Sequence, residues 1–315
     1  MTDAPPAPRA DAPLAAIAYK IAATLSFAAM AASIKLLGEG YPVGEIVFFR
    51  SAFALPVVLG WAFVAGRIAD SWATRNIWFH LSRSTVGMAA MFLSFVALAD
   101  LPLADWTVIG FAMPIFATIL AATLLSEPVG PWRAAAVAAG FAGVLVIIGP
   151  KLSFAHGVPA LIMLVSTLCA GLVIVIIRKI SATENGSAIA FYFMLSCTVM
   201  GAMTLPFAWK SPDGWSLALL IASGVFGGLG QVCNTFSYAR AQPSMLGPFD
   251  YLGLIWATAL GVLLFDEWPD ATVWAGAAVM LGVSATGVTV TAPANWRWLP
   301  SGRVITGMIH SFVQW

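Results

Sequence analysis

The chain has 315 residues and a formal net charge of +1; 60% of its residues are hydrophobic and only 9% are charged. Soluble domains carry about 25% charged residues, and a soluble protein of this length could not bury so much apolar surface. The composition therefore predicts an all-α integral membrane protein, and the small net charge gives no indication of a nucleic-acid partner.

The first residues and the apolar runs behind them predict ten membrane spans. Residues 1–13 are rich in proline and alanine, and we expect them to form a disordered cytoplasmic N-terminus. The apolar run that follows is too long for the hydrophobic region of a signal peptide, so it is predicted to be the first transmembrane helix. Most apolar runs are close to the ~20 residues that cross a bilayer. The predicted spans are 14–37, 45–65, 77–99, 103–125, 132–148, 158–177, 188–208, 215–239, 243–265 and 272–291.

The distribution of lysine and arginine predicts the orientation of these spans. With a cytoplasmic N-terminus, most of the loop cations fall inside, and only Lys151 and Lys210 fall in the outer loops. An even number of spans returns the chain to its starting side, so both termini are predicted to be cytoplasmic. The tail, residues 292–315, carries an apolar stripe typical of an interfacial helix on the cytoplasmic face.

Two thirteen-residue segments resemble each other without a gap. Residues 115–127 read I-F-A-T-I-L-A-A-T-L-L-S-E, and residues 255–267 read I-W-A-T-A-L-G-V-L-L-F-D-E. Such internal repetition in a membrane protein is typical of repeat-built transporters. A first unit at 14–150 would contain five spans, an odd number, so a second unit at 157–291 would enter the membrane from the opposite side. The pattern predicts two inverted five-helix repeats, which can open one central site alternately to each side.

Three motifs of the first unit carry a family resemblance: L-P-L-A-D at 101–105, L-L-S-E-P-V-G at 124–130 and G-F-A-G-V-L at 140–145. Together with the two five-helix units, they resemble the drug/metabolite transporter (DMT) superfamily, EamA type. The resemblance implies ten helices, secondary transport of small metabolites across the cytoplasmic (inner) membrane, and a central cavity lined mainly by spans 3, 4, 8 and 9. Members of the family move varied organic solutes, so membership alone leaves the substrate open.

Charged residues inside a span are costly and usually face a cavity, a partner or the interface. Arg50 in span 2 and Arg83 in span 3 are predicted to bind substrate, with snorkelling of the side chain to the headgroups as the alternative. Lys20 and Lys35 lie nearer the ends of span 1, where snorkelling is favoured. Asp250 in span 9 is too short to snorkel far. It is the candidate coupling residue, which would bind a proton or a cationic substrate group, or else pair with an arginine.

Span 8 carries a polar face. Gln231, Asn234 and Tyr238 recur at i, i+3 and i+7, which places them on one side of a helix. At the repeat offset of 140, Asn234 corresponds to Ser94 of span 3. These residues are predicted to line the substrate cavity, and hydrogen bonding between helices is the alternative. Neighbouring glycines are predicted to allow close helix packing: Gly224, Gly227, which corresponds to Gly87, and Gly228.

Pro114 lies in the middle of span 4, where it removes one backbone hydrogen bond and predicts a kink. The kink would be either static or part of a gate. The second unit has Leu254 at the corresponding position. Aromatic residues of spans 4 and 9 would suit a substrate that contains a ring, with packing as the alternative. They are Phe111, Phe116, Tyr251 and Trp256, of which Phe111, Tyr251 and Trp256 are predicted to bind substrate.

The remaining polar residues predict no separate chemistry. Glu127 and Glu267 repeat at the ends of spans and are interpreted as structural, because the dipole of a following helix favours a carboxylate at its start. The three cysteines lie in apolar segments, and neither they nor the histidines have the spacing of metal ligands. No metal or cofactor is expected.

These features favour a secondary transporter that moves a small amphipathic organic metabolite by alternating access. The family resemblance suggests substrates such as S-adenosylmethionine, riboflavin or an aromatic amino acid. A lipid flippase and a non-transporting membrane interaction subunit are alternatives, as is a membrane-embedded enzyme, although Ser94, His80 and Asp250 form no recognised catalytic spacing. The expected partners are a small-molecule metabolite, membrane lipid and a second copy of the chain, because small residues on span 5 would suit a homodimer.

Overall fold

Every regular element in the described part of the chain is a helix. The computed structural model describes residues 13–125 apart from 65, 67, 73 and 75, then 135, 138, 142, 157–180, 184, 186–240, 246, 249–275, 277 and 278. Within these residues, seven helical segments are long and apolar enough to cross a membrane. The prediction of an all-α membrane protein is therefore confirmed.

The helices follow the predicted spans closely. In chain order they are α1 Pro13–Leu36, α2 Val43–Val64, α3 Ile77–Asp100, α4 Leu103–Gly110, α5 Met113–Leu124, α6 Gly157–Ile180, α7 Gly186–Met203, α8 Leu205–Ala208, α9 Gly214–Arg240 and α10 Leu252–Phe265. Short 3-10 helices form at Gly38–Gly40 and Ile68–Ser71. The predicted spans 132–148 and 272–291 lie almost entirely outside the described residues, so the count of ten remains a prediction.

Span 4 is interrupted just before Pro114, as the proline predicts. The tight bonds Phe111 N–H to Val108 O and Ala112 N–H to Ile109 O close a turn between α4 and α5. Pro114 then falls in the first turn of α5, where a helix leaves its N–H groups unbonded in any case. The second half of the chain makes a similar start without a proline, since α10 begins after a turn at Tyr251.

The helices pack in a pattern that repeats when the two halves of the chain are exchanged. The exchange relates α1 to α6, α2 to α7, α3 to α9, and α5, together with α4 of the same span, to α10. The contact α1–α9 then corresponds to α6–α3, α2–α9 corresponds to α7–α3, and α5–α6 corresponds to α10–α1. The pairs α2–α7 and α4–α10 are their own counterparts in this exchange. Within the described residues, these packing contacts of one half thus recur in the other.

Helices α2 and α7, which pack on each other, run antiparallel. At the start of α2, Gly44 lies against Thr204, just beyond the end of α7, and Gly201 lies against the backbone of Phe48. A β-carbon at Gly201 would come 2.7 Å from the Phe48 nitrogen, so a glycine is needed for this approach. Small residues let helices pack closely in a membrane, where van der Waals contact replaces the hydrophobic effect as the main attraction between them.

Candidate functional site

Arg50 of α2 lies in the interior of the helix bundle and is 8% exposed. Its Nη1 lies 3.2 Å from the sulfur of Met91 on α3 and 3.7 Å from the sulfur of Met194 on α7. Thioether sulfur is a weak acceptor, and the buried Nε of Arg50 has no hydrogen-bond partner among the described residues. Because its acceptors are weak and its Nε is unbonded, this guanidinium retains donor capacity for a further acceptor. Buried charges are ordinarily paired.

Arg83 of α3 is the second buried arginine. Its guanidinium carbon lies 3.7 Å from the centre of the Phe193 ring on α7, which is a close cation–π contact. The positive charges of Arg50 and Arg83 lie close enough to repel each other, and both lie near Cys197 on α7. Both arginines are buried within the protein, so neither extends to the surface of the bundle as the snorkelling alternative requires.

A glycine lies against each of these guanidinium groups. A β-carbon at Gly227 of α9 would come 3.1 Å from the Met30 sulfur and 3.5 Å from Arg50 Nε. A β-carbon at Gly87 of α3 would come 2.9 Å from the Phe193 ring and 3.3 Å from Arg83 Nη1. Gly87 and Gly227 are the corresponding glycines of the two halves. Side chains at either position would occupy the space beside an arginine.

Asp250 forms an ion pair with Lys20 of α1. The distance from Lys20 Nζ to Asp250 Oδ1 is 2.6 Å, and Nζ also donates to Oδ1 of Asn234 at 2.9 Å. Lys20 is 2% exposed, whereas the Asp250 side chain is 37% exposed. The expectation that Lys20 snorkels is therefore wrong, because its ammonium is bonded in the protein interior. The cation that pairs with Asp250 is a lysine of the first helix rather than an arginine.

Lys35, near the other end of α1, forms a second ion pair, with Glu267. It also donates to the backbone carbonyl of Leu101, so it too is held by the protein rather than by headgroups. Glu267 accepts the N–H of Leu103, the first residue of α4, at 2.9 Å. This is a structural role at a helix start, as the sequence suggested, but the helix is α4. The repeated Glu127 lies outside the described residues.

The two aromatic residues at the helix interruptions meet each other. The centroids of the Phe111 and Tyr251 rings lie 5.2 Å apart in an edge-to-face contact. The indole Nε1 of Trp256 is buried with no hydrogen-bond partner among the described residues. Ser94 instead accepts a hydrogen bond from the Trp106 indole at 3.1 Å. The side chain of Tyr238 lies outside those described.

Helix α9 contacts both the two buried arginines, through Gly227 beside Arg50, and the Lys20–Asp250 pair, through Asn234. Seven residues of a helix rise about 10 Å, so Gly227 and Asn234 lie about one third of a membrane core apart along α9. Gln231, between them on α9, is partly exposed. The predicted Arg50 and Arg83 thus lie together in the bundle, and the predicted Asn234 and Asp250 meet at Lys20.

Sequence reasoning missed several residues that surround these charged groups. Met91, Met194 and Phe193 surround the arginines, but apolar residues in apolar spans give no signal of their own. Cys197 is likewise hidden, since a cysteine in a membrane helix is ordinarily a small packing residue. Lys20 was visible as a charge within a span, but its partners come from distant parts of the chain.

The three residues considered for a catalytic site lie in three separate settings. The Nε2 of His80 lies 3.2 Å from Oε2 of Glu184, Ser94 bonds Trp106, and Asp250 pairs with Lys20. No nucleophile–base pair forms among them. Among the described residues, no group of three or more histidine, cysteine, aspartate or glutamate residues is placed to hold a metal ion.

Comparison with known proteins places two segments of the chain in one family. The model of the EamA-like transporter family matches residues 14–149 and again residues 158–288. A solved crystal structure superposes with a TM-score of 0.62 at 18% identity, covering 87% of this chain and 96% of the other. At that identity the superposition shows likeness of fold alone.

Three curated relatives are named as transporters of organic metabolites. A riboflavin transporter of Rhizobium johnstonii is 30% identical over 78% of this chain and 80% of its own length. A pseudopaline exporter of Pseudomonas aeruginosa is 27% identical over 83% of this chain and 91% of its own. An S-adenosylmethionine uptake transporter of Rickettsia felis is 26% identical over 85% of this chain and 90% of its own.

Proposed function

Because the chain belongs to the EamA-like transporter family, we propose that it is a secondary transporter that moves a small amphipathic organic metabolite by alternating access. It is a metabolite transporter of the cytoplasmic membrane with multiple spans, and its family and relatives are transporters rather than enzymes. The observation that carries the proposal is the set of buried charges between the two matched segments. Arg50 of the first segment contacts Met194 of the second, and Lys20 contacts Asp250.

The proposal includes two inverted repeats, at 14–150 and 157–291. The exchange of packing partners between the halves supports this arrangement. The antiparallel course of α2 and α7 favours a two-fold axis that lies across the helices, as an inverted repeat requires. The ten spans, the cytoplasmic N-terminus at 1–13 and the cytoplasmic interfacial tail at 292–315 belong to the same proposal.

In this proposal the substrate occupies a polar path between the halves, which runs from Arg50 and Arg83 to the Lys20–Asp250 pair. Arg50 and Arg83 bind its charged group, and the amides of α9 bond its polar atoms. The aromatic residues beside the helix interruptions contact its ring, and Pro114 lets α5 tilt against α4 as a gate. The full set of proposed substrate-binding residues is Arg50, Arg83, Ser94, Phe111, Gln231, Asn234, Tyr238, Tyr251 and Trp256.

Asp250 is the proposed coupling residue. Its carboxylate faces the Lys20 ammonium at 2.6 Å, and Arg240 stacks on the ring of the adjacent Tyr19. A proton on Asp250 would weaken its attraction to Lys20 and free this end of α1 from the segment before α10. At the other end, α1 is held to the segment after α10 by Lys35 and Glu267. Alternate opening of these two ion pairs would give alternate access to the path.

The proposal is tested by counterflow in proteoliposomes. Vesicles that contain the purified full-length chain are loaded with unlabelled riboflavin, S-adenosylmethionine or tryptophan, and the same labelled compound is added outside in trace amount. We expect transient accumulation of at least one label above protein-free vesicles. Accumulation of none of them, together with movement of a fluorescent phospholipid between leaflets, would overturn the proposal in favour of the lipid flippase.

A further inference from the structure

We propose that Arg50 binds an oxyanion of the substrate, a carboxylate or a phosphate, so that the solute carried is an organic anion. The inference rests on the proposed transport function, because it concerns the same site. It goes further in naming the charge of the group that is recognised, which the names of the relatives leave open.

Arg50 has hydrogen-bond capacity that the described residues leave unused. A guanidinium presents five N–H donors in a planar fork that matches a carboxylate or phosphate. In the described part of the chain, the fork of Arg50 reaches two thioether sulfurs, and its Nε has no partner. An Arg50 that is 8% exposed is therefore more than nine-tenths buried and lacks a strong acceptor.

The carboxylates that form ion pairs in the described part of the chain pair with cations other than Arg50. Among the described residues, the ion pairs within 4.0 Å join Lys20 to Asp250, Lys35 to Glu267 and His80 to Glu184. None of these acidic groups neutralises Arg50. The Arg83 guanidinium adds a second positive charge to the same interior region. An anion that enters there meets two cations that repel each other, so it would gain attraction from both.

The side chains that surround the two guanidinium groups are largely apolar. Met91, Met194 and the Phe193 ring give the arginines an apolar, polarisable wall. Low dielectric surroundings strengthen the attraction between opposite charges. The absence of a side chain at Gly227 leaves α9 backbone beside Arg50 Nε. This setting suits a solute that joins an oxyanion to a ring or other apolar portion, in preference to a small hydrophilic anion.

A purely structural role for Arg50 makes a different prediction from a binding role. If the guanidinium held α2 to α3 and α7, its replacement by methionine would destabilise the protein. If it is an uncompensated buried charge reserved for substrate, a methionine would pack well against Met91 and Met194 and relieve the desolvation cost. Arg50→Met should therefore melt at the same temperature as the wild type or higher, while it loses affinity for anions.

The experiment measures binding to the full-length protein in nanodiscs with matched probes. Indole-3-acetate is compared with indole-3-acetamide, and riboflavin 5′-phosphate with riboflavin, so that each pair differs in the anion alone. Ligands of the folded state raise its melting temperature by mass action. We expect the anionic member of at least one pair to bind at least about tenfold more tightly. The pair that responds tells a carboxylate site from a phosphate site.

Variants assign the effect to Arg50. Arg50→Met should abolish the difference within the pair, and Arg50→Lys should keep part of it, since it keeps the charge without the planar fork. Lys210→Gln removes an exposed cation and should leave the difference in affinity within the pair unchanged. Equal binding of both members overturns the anion inference and leaves the transport function intact. If no probe binds to the folded wild type and no solute shows counterflow, both proposals fall. A lower melting temperature in Arg50→Met, with the anion preference retained, also overturns the inference.

Discussion

The rings of Phe111 and Tyr251 meet edge to face, with centroids 5.2 Å apart and planes at 73°. They are 140 positions apart, the same offset that relates Ile115 to Ile255 in the repeated segments. Each lies at the point where its helix is interrupted. Residues that correspond in two halves can touch only near the axis that relates the halves. The contact therefore locates the proposed axis between α4 and α10.

Cross-linking of this pair should arrest transport. In the double variant Phe111→Cys/Tyr251→Cys, a short thiol-reactive cross-linker would tie the two interruptions together, and movement of one half against the other would stop. We expect counterflow to fall to the level of protein-free vesicles after cross-linking and to return after cleavage of the linker. Each single variant, treated in the same way, is the control. Unchanged transport in a fully cross-linked double variant would show that these helices do not separate during the cycle.

Helix positions were predictable because a span is a local property. Runs of apolar residues predicted α1, α2 and α3 to within a few residues, and Pro114 predicted the interruption of span 4. The interruption before α10 has no such signal, because Leu254 replaces the proline. There the helix starts at Leu252, and α10 packs against α1 and α4.

The candidate site was only partly predictable, for a different reason. A charge inside a span, such as Arg50 or Asp250, is visible in the sequence because its burial is costly. The choice of partner depends on contacts between distant residues. Lys20 and Asp250 are 230 positions apart, since 250 − 20 = 230, and no local pattern distinguishes this pairing from snorkelling. The apolar wall of Met91, Met194 and Phe193 gives no signal at all.

Two adjacent glycines of α9 should respond differently to alanine. A β-carbon at Gly228 would come 2.8 Å from Val57 Cβ and 3.1 Å from the Ala54 carbonyl oxygen. Such overpacking typically costs about 1–3 kcal/mol, so Gly228→Ala should lower the melting temperature. A β-carbon at Gly227 would meet the flexible Met30 side chain, and the gain in helix propensity of about 1 kcal/mol offsets that contact. Gly227→Ala should therefore keep its stability but weaken ligand binding severalfold, as about 1 kcal/mol of lost contact implies.

Thermal unfolding and binding of the same probe, measured on both variants, check this pair. The contrast depends on the two glycines having different neighbours, Arg50 for Gly227 and the α2 backbone for Gly228. Equal losses of stability would mean that both glycines serve packing alone. Gly253→Ala is a suitable control, because no atom lies within 4 Å of a β-carbon at that position.

Removal of either partner of the Lys20–Asp250 pair should have unequal effects on stability. Asp250→Asn leaves an ammonium that is 2% exposed without its counter-charge, whereas Lys20→Met leaves a carboxylate whose side chain is 37% exposed. Breaking a buried pair typically costs about 3–5 kcal/mol, and exposed groups cost much less. We expect Asp250→Asn to be the more destabilising by roughly 2 kcal/mol. The double variant Lys20→Met/Asp250→Asn should recover part of that loss, and equal losses in the single variants would contradict the burial of Lys20.

The pH dependence of transport tests the coupling role of Asp250. Protonation of its carboxylate removes the charge that attracts Lys20, so the wild-type rate of counterflow should change as the pH falls through the titration of this group. Asp250→Asn imitates the protonated state at every pH, and its rate should be flat over about pH 5 to 8. Asp250→Glu, which keeps a titratable group beside Lys20, should retain a pH dependence with a shifted midpoint. An unchanged pH profile in Asp250→Asn would assign coupling to another residue. The next pair to substitute would then be His80 and Glu184, which are both buried and lie 3.2 Å apart.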